Sequence, residues 1–298
     1  MDENKIGLLS RRQALRSIVT ITAGTLIRPS SIFGATPVKN KIRFSLLGDW
    51  GTGDGDCVGV ARQIAQAHRT SALDFIIGVG DNIYPDGNGR HFVKKFEEPY
   101  SAMLKDHVNF YTVLGNHDVK EGREAQCHYP LFNMNGQCYY TLKKGEGLAE
   151  FFMLDSTDFD AAQTGWLEGA LQSSTARWKI PIFHHPIYSS GKNHGSSLEL
   201  RKSLEPLFTR YGVQAVFSGH DHIYERTKPQ QGIQYFVSGG GGKVRRGGTD
   251  QNSPLTAKSF DSDNHFMQLE IDDRQLNFQA ISETGQVVDS GAINFSEG

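Results

Sequence analysis

The sequence predicts an α/β fold with its functional site along one sheet edge, and three observations carry that prediction. Short apolar runs stop abruptly at polar clusters. Helical patterns fall between them. The C-terminal stretch carries strand signals broken by turns, with no helix.

Taken in order, "KIRFSLLGDWG" reads as a buried strand that ends at Asp49. A helix follows over "DCVGVARQIAQAHRT", with Val58, Ala61, Ile64, Ala65 and His68 near one face. "LDFIIGVGDNIY" is a second strand, stopping at Asp81 with Tyr84 three residues on, and "VNFYTVLGNHD" is a third, reaching Asn116 and His117. "AEFFMLDST" and "WKIPIFHHP" repeat the form, the latter delivering His184 and His185. "SSLELRKSLEPLFTRYG" is a helix closed by Gly212, and "VQAVFSGHDH" brings His220 and His222. "IQYFVSGGGG" is one more strand, and the tail from "HFMQLEIDD" onward should be antiparallel. In open α/β sheets, sites form beyond the carboxyl ends of the strands. One Asp, Asn or His there is usually a turn former, but five clusters at one edge make a site.

Composition bounds the rest. The chain has 298 residues, 38% hydrophobic and 21% charged, with a formal net charge of −2, so nothing points to nucleic acid or an anionic membrane surface as partner. No apolar run after residue 40 is long enough to span a bilayer. Residues 1–35 differ: "SRRQALR" precedes a mildly apolar stretch and small residues, the layout of an export signal, and the Arg11–Arg12 pair resembles a twin-arginine signal. A flexible tail with a chance Arg-Arg pair is the plainer alternative. Export implies a periplasmic or secreted protein. Residues 36–298 then form one domain. Of the three cysteines, Cys127 and Cys138 could close a short loop in an oxidising compartment, leaving Cys57 free; the sequence leaves the bridge open.

Asp49, Asp81, Tyr84, Asn116, His184, His220 and His222 make an O/N donor set without thiolate, which suits first-row transition metals. Seven donors are too many for one ion that keeps a position open, and fit two ions sharing a carboxylate. In extended backbone His220 and His222 would face the same side, with Asp221 turned away.

The ordered motifs "GDWG", "GDNIY", "GNHD", "HHP" and "GHDH" resemble the calcineurin-like metallophosphoesterases, and within them the purple acid phosphatases of the small tartrate-resistant type. The resemblance covers about residues 42 to 295. It implies a four-layer sandwich, helices outside two packed mixed β-sheets, with a two-metal centre at one rim. By the same resemblance Asp49, Asp81, Tyr84 and His222 hold one ion, and Asn116, His184, His220 and the shared Asp81 hold the other. His184 rather than His185 is chosen because the family's ligand stands two before a proline. The anionic donors of the first site suit Fe(III), and the neutral donors of the second suit divalent iron, zinc or manganese. A phenol explains itself there, because a trivalent ion stabilises its deprotonated form; core packing is the alternative.

The implied activity is that of an exported acid phosphatase, hydrolysing phosphate monoesters by attack of hydroxide held at a Fe(III)–M(II) pair. A phosphodiesterase or nucleotidase using two divalent metals is the competing reading. His117 and His194 resemble the family's substrate-facing histidines and would assist the leaving group, and Asp118 could orient His117. No GxSxG or CxxxxxR motif offers a covalent nucleophile. The expected partner is a small phosphorylated substrate, with no nucleic acid, and the chain is expected to be a monomer. "GTGDGD" and "GGGGKVRRGG" do not fit a phosphate-binding GxxxxGK[ST] loop, and glycine turns beside a crowded rim explain them; Arg245 and Arg246 read as solvated charge.

Overall fold

The structure, a computed structural model, describes residues 40–295; the predicted export signal lies outside the described residues. Two mixed sheets face each other. The first runs, in spatial order, β13 (Val287–Asn294), β12 (Gln275–Ser282), β11 (His265–Asp272), β1 (Lys41–Leu47), β2 (Phe75–Gly78) and β3 (Asn109–Thr112). The second runs β10 (Thr256–Phe260), β8 (Tyr224–Thr227), β9 (Gln234–Ser238), β7 (Ala215–Ser218), β6 (Trp178–Ile182), β5 (Ala149–Met153) and β4 (Tyr140–Lys144). β1, β2 and β3 are parallel, as are β5, β6, β7 and β9. The tail from β11 to β13 is an antiparallel meander, as its turn-broken pattern predicts. β10 is an edge strand that the sequence reading passes over, because "TAKSF" is polar and largely exposed.

The sheets meet through aromatic rings: Phe151 stands edge-on to Phe44 at 5.3 Å, and Phe236 to Phe278 at 4.9 Å. β5 shows why the strands read as continuous apolar runs. Phe151 fills the layer between the sheets, while Phe152, pointing the other way, joins a second core beneath the helices α4 (Ala161–Ser173) and α5 (Leu198–Arg210). On the outer face of the first sheet lies α1 (Gly55–Thr70), capped by the Asp54 carboxylate, which accepts from Cys57 N at 3.2 Å. Helix, sheet, sheet and helix give four layers. Two short helices, α2 (Ser101–Lys105) and α3 (Arg123–Cys127), sit in the connections.

The buried stripe of α1 is Cys57, Val60, Ala61, Ile64 and Ala65, and Val58 is exposed. The helix is rotated from the predicted face because Cys57 and Val60 add buried surface that Val58 would forgo. Cys127 and Cys138 are unbridged thiols. Among the described residues, no helix is long and apolar enough to cross a membrane.

His265, at the start of β11, is fully buried beside Tyr224 and Phe260, and neither ring nitrogen has a hydrogen-bond partner among the described residues. Burial pushes its pKa down to about 4, against a smaller upward pull from Asp263. Below its ordinary pKa the unfolded chain binds a proton that the folded chain refuses, so stability falls as pH drops from about 6.5 to about 4, by at most ~3 kcal/mol. His265→Leu is therefore expected to raise Tm by several degrees more at about pH 4.5 than at about pH 7.5. Thermal unfolding at the two pH values checks this; equal gains at both would refute it.

Candidate metal centre

The carboxyl ends of the parallel strands of both sheets open on one rim, and the predicted residues stand in the loops just beyond them. Asp49 follows β1, Asp81 and Tyr84 follow β2, and Asn116 and His117 follow β3; His184 follows β6, and His220 and His222 follow β7. These loops pass very close to one another, which is why glycine precedes so many of the site residues. A Cβ on Gly115 would lie 2.3 Å from Asp81 Oδ1, and one on Gly80 would lie 2.6 Å from His184 Nδ1. Asp49, Asp81 and His220 themselves take positive φ, at 57°, 50° and 69°. Such strain in non-glycine residues persists only where the surroundings over-determine it, and three of the donors carry it.

All seven predicted donors come together, in two groups. In the first, Tyr84 OH lies 3.1 Å from Asp49 Oδ1 and 3.2 Å from His222 Nε2, and His222 Nε2 lies 3.2 Å from Asp49 Oδ1. Donor atoms of Asp49, Asp81 and His222 all lie within 4.8 Å of one another. In the second, His184 Nε2 is 3.1 Å from Asn116 Oδ1 and 3.2 Å from His220 Nδ1. Asp81 Oδ1 is 3.5 Å from the same His184 Nε2, so Asp81 reaches both groups. His185 also stands close to the second group, with its Nδ1 3.0 Å from Ser156 Oγ and its ring against His220.

His220 and His222 do not sit in extended backbone, contrary to the spacing argument. Asp221 N bonds Gly219 O at 2.8 Å and Ile223 N bonds Asp221 O at 2.7 Å, so the segment turns twice and sends the two rings to different groups. The Asp221 carboxylate does face away from them. It accepts from Ser189 Oγ at 2.6 Å and Gly195 N at 3.1 Å, anchoring the loop that carries His194.

The electrostatics of these donors fit cations. Val79 O accepts from His184 Nδ1 at 2.9 Å, and burial, reinforced by His185, holds the ring's pKa well below its ordinary value. Nε2 of the neutral ring then carries a lone pair. It points at an amide oxygen and a carboxylate oxygen, an arrangement that repels unless a positive ion lies among them. Burial also raises the Asp49 carboxyl to about 6. Burial and then the neighbouring Asp49 and Asp81 push the Tyr84 phenol far above its ordinary range, so only a strongly charged cation would make it a phenolate. The residues present fit two metal ions.

The two predicted histidines flank the donors on either side. His117 lies against the Tyr84 ring at 4.5 Å, with Nδ1 held 2.7 Å from Pro85 O. His194 lies over His220 at 4.0 Å, beside a cleft of about 360 Å³ also lined by His185 and Asn193. A slightly larger cleft, about 400 Å³, lies on the first sheet beside Arg43 and Glu270, away from the histidines.

Asp118 does not touch His117. Its Oδ2 accepts from Gly115 N at 2.8 Å and Asn82 N at 3.0 Å, and its Oδ1 from Gln126 Nε2 at 2.8 Å and Ile83 N at 3.0 Å. Asn82 Oδ1 accepts from Trp50 Nε1 at 3.1 Å, which ties in the loop after β1. Trp50 is in turn wedged among Phe96, Tyr100 and Phe110. The sequence reading misses Asn82, Gln126 and Trp50 as supports of the site; the polar residues inside "GDN" and "AQC" were the available signal.

Comparison with known proteins agrees with this geometry. Residues 42–224 match the calcineurin-like phosphoesterase family. The chain is 31% identical to purple acid phosphatase 17 of Arabidopsis thaliana over 71% of this chain and 72% of that protein. It is 28% identical to tartrate-resistant acid phosphatase type 5 of Rattus norvegicus over 84% of this chain and 90% of that one. Among solved structures, GAP50, the anchor in the inner membrane complex of Plasmodium, superposes with a TM-score of 0.76 at 22% identity, covering 87% of this chain and 90% of that one, which speaks for the fold alone. The ordered motifs, the two donor groups and these relatives agree: the chain belongs to the calcineurin-like phosphoesterases and, within them, to the purple acid phosphatases.

Proposed function

We propose that the protein is an exported acid phosphatase that hydrolyses phosphate monoesters with a ferric ion paired with a divalent one. Family membership makes it a phosphoric-ester hydrolase with a dinuclear metal centre; export, iron and the preference for monoesters are the finer reading. The observation that carries it is the neutral His184 lone pair facing Asn116 and Asp81 oxygens, with the Tyr84 phenol set against two carboxylates nearby.

Asp49, Asp81, Tyr84 and His222 would hold the ferric ion, and Asn116, His184, His220 and Asp81 the divalent one. When bound, such a pair supplies Lewis acidity to the phosphoryl group and an activated water in acid. His117 is set to serve the leaving oxygen. Its Nδ1 lies 2.7 Å from Pro85 O and 3.0 Å from Lys120 Nζ, which leaves Nε2 as the atom for that oxygen; as the imidazolium it would donate its Nε2 proton there. His194, on a loop pinned by Asp221, closes the other side of the donor cluster, where it would bind phosphoryl oxygens. The Arg11–Arg12 leader supports export in the folded state, and hence a periplasmic or secreted protein.

Paired substrates test the reading. The metal-loaded protein is expected to hydrolyse p-nitrophenyl phosphate at least ~10-fold faster than bis(p-nitrophenyl) phosphate, with an optimum below neutrality. A faster rate on the diester, or an optimum in alkali, would give the site to phosphodiester chemistry instead.

A further inference from the structure

We propose that Lys243 recognises a second anionic group on the substrate, beyond the phosphoryl group that is cleaved, and so favours di- and triphosphates over simple monoesters. The inference deepens the phosphatase reading and rests on it. Lys243 follows the four glycines Gly239–Gly242, whose packing fixes where it stands. A Cβ on Gly239 would strike Asp221 O at 2.2 Å, and one on Gly241 would strike Gly48 O at 2.7 Å. The loop therefore lies directly on the segments that carry Asp49 and His222.

Its backbone is pinned on both sides of the lysine. Gly241 N donates to Gly48 O at 2.8 Å, Val244 N to Asn264 Oδ1 at 3.0 Å, and Arg245 N to the carbonyl of His222 at 2.8 Å. From this fixed base the exposed side chain reaches inward, placing Nζ 4.6 Å from the centre of the Tyr84 ring. His117 packs on that same ring. An ester whose leaving oxygen meets His117 thus has its next substituent in the field of the Lys243 ammonium.

Among the cations nearby, Arg246 Nε donates to Ser262 O at 3.1 Å and Lys192 Nζ to Gly247 O at 3.0 Å, while Lys120 Nζ lies 3.0 Å from His117 Nδ1. No carboxylate among the described residues pairs with Lys243. A cation over a ring at a surface is ordinary and weakly stabilising. What sets this one apart is a rigid loop that brings an uncompensated charge to the edge of the metal centre.

The test compares pyrophosphate with p-nitrophenyl phosphate on metal-loaded wild type, Lys243→Gln and Lys243→Arg, together with calorimetric binding of methylenediphosphonate and orthophosphate. Lys243→Gln is expected to lower the ratio of kcat/KM for pyrophosphate over p-nitrophenyl phosphate about fivefold, through KM, and to weaken methylenediphosphonate more than orthophosphate by a similar factor. Lys243→Arg should restore most of both. Parallel losses on both substrates would mean that Lys243 acts through Tyr84, and no change would mean that it is solvated charge; either overturns the proposal. A wild type inert towards monoesters would sink the phosphatase reading, and the calorimetry would still decide the role of Lys243.

Discussion

Asp81→Asn is expected to lower kcat/KM for p-nitrophenyl phosphate by roughly 10³-fold, about 4 kcal/mol of transition-state stabilisation. The reason is placement. Among the described residues, Asp81 is the one carboxylate that shares a group with Asp49 and His222 and also stands 3.5 Å from His184 Nε2. Its loss weakens both candidate ion sites at once and leaves the second group with only the neutral donors of Asn116, His184 and His220. Asparagine is the informative replacement, because Asp81 has a φ of 50° and asparagine tolerates that conformation better than alanine. Its Oδ1 also accepts from His117 N at 2.9 Å, a bond that an amide oxygen preserves. Steady-state kinetics with metal analysis of the variant check the prediction. A variant within tenfold of wild type would remove Asp81 from the centre of the account.

Asp118→Ala is expected to cost on the order of 4 kcal/mol, or roughly 10 °C in Tm, although the residue is not a predicted metal ligand. One buried carboxylate satisfies backbone N–H groups of Gly115, Asn82 and Ile83 and the side chains of Asn82 and Gln126. Truncation would strand these donors in the interior and untie the loops after β2 and β3. Asp118→Asn, which keeps one acceptor oxygen, should lose about half as much. Thermal unfolding of the two variants decides; a shift below about 2 °C for the alanine variant would show that the network does not brace the rim.

These two aspartates show what the sequence reveals and what it withholds. Asp81 was legible because it ends a buried apolar run, and four other runs end in similar polar groups. The strands themselves were legible for a related reason: both faces of β5, β7 and β9 are covered, so their residues are apolar without alternation. Asp118 was visible only as a neighbour of His117, and adjacency suggested a partner that the geometry does not supply. Two of its partners, Ile83 and Asn82, lie 35 and 36 residues back in the chain, and no local pattern encodes such pairing. His220 and His222 misled in the same way, since a period of two assumes extended backbone and the strand has already ended at Ser218. On α1, Cys57, Val58 and Val60 are all apolar, and only the packing chooses Cys57 and Val60 for the buried face.

Metal content read together with the visible spectrum of the purified protein, with and without Tyr84, tests the central claim most directly. The account predicts about two ions per chain, one of them ferric iron, and a phenolate-to-iron absorption band that Tyr84→Phe abolishes. A fully metal-loaded protein that contains no ferric iron, or one whose colour survives the loss of the Tyr84 hydroxyl, would contradict it.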